Sequence, residues 1–119
     1  MSPSEMRIVR DRLTRAELLA MAQARFGDMV KVVVDIAREV LAVGGELHAD
    51  EEALLLDDGS RQADLWGINL YPSESGPDWI EFDSMINVRP SQKNRSRDVE
   101  DEGTRATIRR IVEGLVRVE

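Results

Sequence analysis

The chain has 119 residues, no cysteine, and a formal net charge of −7 from 23 acidic and 16 basic side chains. One domain is expected at this length, with roughly two thirds of the unfolded surface buried and no staple needed to close the core. The missing thiols exclude disulfides, thiolate metal sites and cysteine nucleophiles, and the net acidity repels nucleic acid and anionic lipid at long range, so polyanion binding would need a local patch.

The longest apolar runs, Val32 to Val34 and Leu54 to Leu56, fall far short of the roughly 20 residues of a membrane span, and the opening MSPSEMRIVR lacks a signal-peptide core. A soluble, cytoplasmic protein with no membrane partner is expected.

Arg7 to Arg10 reads as a short edge strand. Thr14 and Glu17 then form a capping box, with Leu13 and Leu18 as its hydrophobic staple, and Leu18, Met21, Ala22 and Phe26 share one helical face before Gly27 ends it. Asp28 to Gly45 fits a helix or a hairpin. Three consecutive valines favour the hairpin, because branched side chains lose rotamer freedom in a helix and pack well on a pleated surface. The expected strands are 29–36 and 39–47, with Leu41, Val43 and Leu47 joining Val32 and Val34 in the core, and Lys31, Asp35, Glu46 and His48 outward.

A short helix follows, capped by Asp50 with acids in its first turn and Gly59 after its end. Next comes a strand from Leu65 to Tyr71 whose Trp66, Ile68 and Leu70 alternate with Gly67, Asn69 and Tyr71. The turn-rich 72–78 segment leads to a strand beginning at Trp79. Alternation there puts Ile80, Phe82, Ile86 and Val88 inward and Trp79, Glu81, Asp83, Asn87 and Arg89 outward. Pairing Tyr71 with Trp79 sets Asn69 opposite Glu81 and Gly67 opposite Asp83, giving one open polar face. A final helix, capped by Asp101 or Asp98, carries the stripe Ile108, Ile111, Val112, Leu115 and Val116. The fold class expected is α+β: an antiparallel sheet of four or five strands, the first and last helices on one face, and a short extra helix.

Three kinds of chemistry are open to these residues. Glu46, His48 and Asp50, alternating at a strand end, have the donor types for a divalent ion with Glu81 or Asp83; a capped helix with a hydrogen-bonded histidine explains them equally, and neither a metal nor any cofactor is assigned. Glu81 with Asp83, or His48 with either, also suits acid–base catalysis, although a charged row on an antiparallel sheet is more often a solvated face. The segment from Arg89 to Arg97 carries Arg89, Lys93, Arg95 and Arg97 without an acid. With Gln92 and Asn94 it suits phosphate contacts, or it neutralises acidic turns in this molecule or a second copy.

The strings GGELHADEEALLLDDGSRQADLWG and SMINVRPSQKNRS, with VVVD upstream and the DEGTRATIRRIVEGLV helix, resemble a family of small bacterial proteins classed as a domain of unknown function. The resemblance spans Ile8 to Val116 and brings no activity, cofactor or partner. It implies that His48, Asp50, Ser60, Gln62, Asp64, Trp66, Asn87, Arg89, Gln92 and Asn94 are motif positions. It also implies a turn where relatives often carry glycine and this chain has Glu39, and a position after HAD where relatives can carry cysteine and this chain has Glu51. A buried network pinning loops to the sheet through Ser60, Gln62, Asp64, Asn87 and Arg89 is the structural alternative to a ligand site.

The function expected is a non-catalytic binding or regulatory module, acting as a homo-oligomer, with a site among His48, Asp50, Gln62, Asn69, Asp83, Asn87, Arg89, Gln92, Asn94 and Arg95. The alternatives are a small metal-assisted hydrolase or nuclease-like enzyme and an RNA or phosphate binder.

Overall fold

The computed structural model describes residues 5–118. Strand β1 (Arg7–Val9) and the two-residue β2 (Leu13–Thr14) precede helix α1 (Arg15–Arg25). The capping box is present, with Thr14 accepting from the Glu17 N–H and the Glu17 carboxylate accepting from the Thr14 N–H. Strands β3 (Val30–Asp35) and β4 (Val40–Val43) then form a hairpin, with Val34 opposite Leu41. The valine run is therefore β structure, as branched side chains favour. Glu39 adopts φ +57° in the connecting turn, the left-handed region where glycine is easiest.

Helix α2 (His48–Asp57), strand β5 (Leu65–Leu70), the short β6 (Ile80–Glu81), helix α3 (Glu102–Leu115) and β7 (Val116–Arg117) follow. The five-stranded sheet runs β1-β4-β3-β5-β6, antiparallel throughout; β2 and β7 pair in parallel beside it. One face carries Val32, Val34, Leu41, Val43, Trp66, Ile68, Leu70 and Ile80 against Leu18, Met21 and Ala22 of α1 and Ile108, Ile111 and Val112 of α3. Asp101 caps α3, its carboxylate accepting from the Thr104 N–H at 2.8 Å.

The second sheet face is also covered. Val33, Val40, Ala42 and Leu65 pack with Leu55 of α2, so β3, β4 and β5 are buried on both sides and read as near-continuous apolar runs. Several expectations change with this third layer. Asp35 and His48, expected outward, are buried, whereas Leu47, expected in the core, is 53 % exposed at the N-cap of α2. Asp50 is not the cap: the helix starts two residues earlier and Asp50 lies in its first turn. The Asp35 carboxylate accepts from the Ala37 and Arg38 N–H groups and the Ser60 hydroxyl, which replaces the water it lost.

The strand expected from Trp79 to Arg89 ends at Glu81. Its register begins as expected, with the Tyr71 N–H donating to the Trp79 carbonyl and Asn69 opposite Glu81. Ser84 then accepts from the Ile86 N–H and starts a 3-10 turn over Met85–Asn87, followed by another over Pro90–Gln92. The apolar spacing at 80, 82, 86 and 88 consequently spans a bend. Ile80 and Phe82 meet the larger core, Ile86 meets the α2 side, and Val88 is exposed. Trp79, expected on the polar face, is buried in the larger core beneath the Arg15 guanidinium, 3.9 Å from its ring centre.

Candidate functional site

Where β6 stops, the outer edge of β5 has backbone groups that must find partners. Asn87 supplies them for Gly67, which was expected opposite Asp83. The Gly67 N–H donates to Asn87 Oδ1 at 2.8 Å, and Asn87 Nδ2 donates to the Gly67 carbonyl at 2.9 Å. Arg89 continues the edge, donating to the carbonyls of Leu65 and Gln62 and to Gln92 Oε1, while Gln92 Nε2 donates to the Ala63 carbonyl. Asn94 Nδ2 donates to the carbonyls of Asn87 and Asp98, both at 2.7 Å, and its Oδ1 accepts from the Glu100 N–H. These carboxamides and the guanidinium tie the 87–100 segment to the sheet. The basic loop is thus a stitched structure: Arg89 is engaged here, and Arg97 pairs with Asp83 at 2.7 Å.

A second polar cluster lies on the α2 side of the sheet. His48 Nε2 lies 2.8 Å from the Ile68 carbonyl. A carbonyl only accepts, so Nε2 carries the proton and the neutral ring leaves Nδ1 as a lone-pair acceptor. Burial pushes the His48 pKa down, with the charges of Lys31, Asp83 and Arg97 near enough to act on it. Asn69 Nδ2 donates to Glu81 Oε1 at 2.8 Å and to the Asp83 carbonyl, while its buried Oδ1 has no donor among the described residues. Tyr71 donates to the same Glu81 oxygen, and its pKa is pushed up to about 12 by burial and by that carboxylate.

Glu51 is fully buried and belongs to the same end of the sheet, where Lys31 acts on both it and His48. Its Oε2 accepts from the Gly45 N–H at 2.9 Å, and its Oε1 has no partner among the described residues. Burial lifts its pKa well above the ordinary carboxylate range, so the acid is protonated where most carboxylates are charged. Only glycine permits this packing: a Cβ on residue 45 would stand 2.6 Å from Glu51 Cγ.

A concave space of about 480 Å³ opens between the stitched loop and the start of α3. It is lined by Gln92, Lys93 and Asn94 of the loop, by Glu100, Asp101 and Thr104, and by Ile36, Ala63 and Trp66. Trp66 is buried and its indole N–H has no acceptor among the described residues. The group stacked on its ring, the Arg89 guanidinium at 4.3 Å, can only donate. Lys93 holds φ +62°, a left-handed conformation that costs a side-chain-bearing residue roughly 1–2 kcal/mol. Glu100 and Asp101 are held below the usual carboxylate range, chiefly by hydrogen bonds from Ser96 and Thr104 respectively.

The residues singled out from the sequence therefore fall into two groups. His48, Asn69 and Asp83 belong to the α2-side cluster. Gln62, through its carbonyl, belongs with Asn87, Arg89, Gln92 and Asn94 to the loop network, and Gln92 and Asn94 also line the cleft. Asp50 and Arg95 are exposed and outside both, Arg95 contributing its backbone N–H to Glu100. The Glu46, His48, Asp50 trio has no strand to project from: Glu46 is exposed 3.7 Å from Arg25, and the other two lie in the first turn of α2. No group of three or more His, Cys, Asp or Glu able to hold a metal occurs among the described residues. The sequence reading missed Glu51 as a buried acid, and the run Gly44-Gly45 beside it was the available signal.

The architecture defines a small α+β domain, a five-stranded antiparallel sheet between α1 and α3 on one face and α2 on the other. The chain belongs to the family described as "Protein of unknown function (DUF5674)", whose model matches residues 7–115. No curated protein and no solved structure matches it. No helix among the described residues is long and apolar enough to cross a membrane.

Proposed function

We propose that this chain is a bacterial, cytoplasmic, non-catalytic binding module that takes a small molecule into the cleft beside the basic loop. The observation that carries the reading is the Trp66 indole N–H, a buried donor without an acceptor, in a residue that floors a concave space of ligand size. In this reading Gln92 and Asn94 contact the ligand, Gln62, Asn87 and Arg89 hold the wall in shape, and Arg95 adds charge next to Glu100. Asp50 and Asp83, accessible where His48 and Asn69 are buried, are the candidates left for contact with a partner.

Self-association belongs to the same proposal. Leu56 on α2, Met85 on the adjoining 3-10 turn and Val88 just after that turn are exposed apolar side chains, a surface suited to a second copy. The nucleic-acid alternative has less support, because among the loop cations only Lys93 and Arg95 have no side-chain partner among the described residues. The metal-assisted alternative loses its ligand geometry with the missing strand.

The test is a fragment panel followed by amide and indole correlation spectra of the ¹⁵N-labelled protein. The Trp66 indole cross-peak, assigned with Trp66→Phe, is expected to shift saturably with a subset of fragments. A panel that moves surface amides alone and leaves the indole in place would overturn the cleft as the binding site.

A further inference from the structure

Helix α2 is held to the sheet differently at its two ends. Its C-terminal half has apolar and ionic anchors: Leu55 is buried with Val33, Val40, Ala42 and Leu65, Leu54 packs against them, and the Asp58 carboxylate just past the helix takes the Arg10 and Arg38 guanidinium groups, both at 2.7 Å. Its first turn shows neither kind of anchor among the described residues. The buried side chains there are His48 and Glu51, and the N-cap residue, Leu47, is exposed and supplies no side-chain cap. Each buried group docks on one backbone group. His48 Nε2 donates to the Ile68 carbonyl at 2.8 Å, and Glu51 Oε2 accepts from the Gly45 N–H at 2.9 Å. The docking of this turn therefore depends on two titratable side chains.

Glu51 is the more exacting of the two. Its carboxyl is fully buried, Oε1 has no partner among the described residues, and the bare backbone of Gly45 makes the space that its Cγ fills. A carboxyl with one hydrogen bond fits such a place as a neutral acid; as an ion it would need further donors or water. Three charged groups act on it: Lys31 of β3, Arg25 at the end of α1 and Asp50 beside it on α2. The two cations favour the ion and Asp50 opposes it, but burial outweighs them all. Around His48 stand Lys31, Asp83 and Arg97, and burial there disfavours the protonated ring.

We propose that the first turn of α2 is a proton-held lid on the second sheet face: it stays closed while Glu51 keeps its proton and lifts when Glu51 ionises, with the C-terminal half of the helix still anchored. Lifting releases the Gly45 N–H and the Ile68 carbonyl and carries the exposed Asp50 with it, so the surface on this side of the sheet changes with pH. An undocked Glu51 ionises near 4.5 and a docked one well above that, so opening gains about tenfold per pH unit between the two values. His48 acts oppositely below 6.5, where the undocked ring takes up the proton that burial disfavours, and it offsets the gain there. Above 6.5 His48 is neutral in both forms. Glu51 alone then sets the slope.

The experiment is amide hydrogen exchange on the ¹⁵N-labelled full-length protein at a series of pH values, each rate corrected for intrinsic exchange. Three amides report: Gly45, which donates to Glu51; Ser60, which donates to the Leu55 carbonyl at the anchored end; and Val33, paired in mid-sheet. Protection at Gly45 is expected to fall about tenfold per pH unit from 6.5 up to the docked pKa of Glu51, while Ser60 and Val33 hold. Glu51→Gln keeps an acceptor for the Gly45 N–H and has no charge to gain, so its Gly45 profile should be flat over the same range. Constant protection at Gly45 in the parent, a parallel fall at all three amides, or the same fall in Glu51→Gln would each overturn the lid. The ¹³C shift of the Glu51 carboxyl in the parent gives a check that needs no variant: a midpoint above 6.5 is expected, and one below it would overturn the proposal.

Discussion

Asn87 does with one carboxamide what a further strand would do with a peptide unit: it gives Gly67 both an acceptor and a donor. Removing it leaves those two buried backbone groups without partners and takes one of two donors from the Arg97 carbonyl, which keeps the Ser84 N–H. Asn87→Ala is therefore expected to cost about 2–4 kcal/mol in urea unfolding; a loss under 1 kcal/mol would show that the carboxamide is dispensable. His48 and Glu51 make a second prediction, for which the signs oppose. The folded pKa of His48 lies below 6.5, so the unfolded chain takes up the extra proton and stability is lost as pH falls from 6.5. That of Glu51 lies above 4.5, so the folded chain holds the extra proton and stability is lost as pH rises from 4.5 to the folded pKa. Glu51→Gln removes the second effect, and its stability relative to the parent should climb over that interval by up to about 1.4 kcal/mol per pH unit. A constant difference between the two proteins from pH 5 to 8 would contradict a protonated Glu51. Little of this was readable from residue type. An acid in a first helical turn normally faces solvent and the macrodipole; here the burial of Glu51 depends on a helix that starts at His48 and on the bare backbone of Gly45.

Among the elements, α1, the β3–β4 hairpin, β5 and α3 were legible because local signals and burial agree in each. The Thr14–Glu17 box and the Ile108, Ile111, Val112 stripe each point one way, whereas the hairpin's spacing fits a helix or strands and the Val32 to Val34 run tips it to β structure. The segment after Glu81 was not legible. Its apolar residues recur at a strand's spacing, but Ser84 redirects the backbone and long-range side chains replace the ladder, a choice made by tertiary partners rather than by period. Gly67 records that choice, since a Cβ there would stand 2.5 Å from Ser84 Cβ and 3.1 Å from Ile86 Cγ1. Gly67→Ala is expected to destabilise by about 1–3 kcal/mol through overpacking against the turn, measured by thermal unfolding; a neutral result would mean that the turn yields. At the hairpin, Glu39→Gly should be neutral to about 1 kcal/mol stabilising, because glycine accepts φ +57° while its Arg110 ion pair is exposed and worth little. Glu39→Val should be destabilising by about 1 kcal/mol or more.

At the scale of the molecule, the α+β class and the packing of both terminal helices on one sheet face followed from amphipathic patterning. The covering of the opposite face by α2 did not, because a strand buried on both sides and one buried on a single side differ only in residues such as Val33, Ala42 and Leu65. That layer also explains why the candidate site residues divide in two. The α2-side group includes the buried His48 and Asn69, while Gln92 and Asn94 of the loop group line the cleft with Trp66. Self-association through Leu56, Met85 and Val88 would appear as a mass that rises with concentration in sedimentation equilibrium and returns to one chain in Met85→Lys; one chain's mass at every concentration removes that surface from the account.

The most direct measurement is a crystal structure of the full chain grown with the tightest-binding small molecule from the spectroscopic panels. The account predicts density between the 92–94 loop and the first turn of α3, with an acceptor atom within about 3.2 Å of Trp66 Nε1. The same molecule bound elsewhere, with only water at that nitrogen, would contradict it.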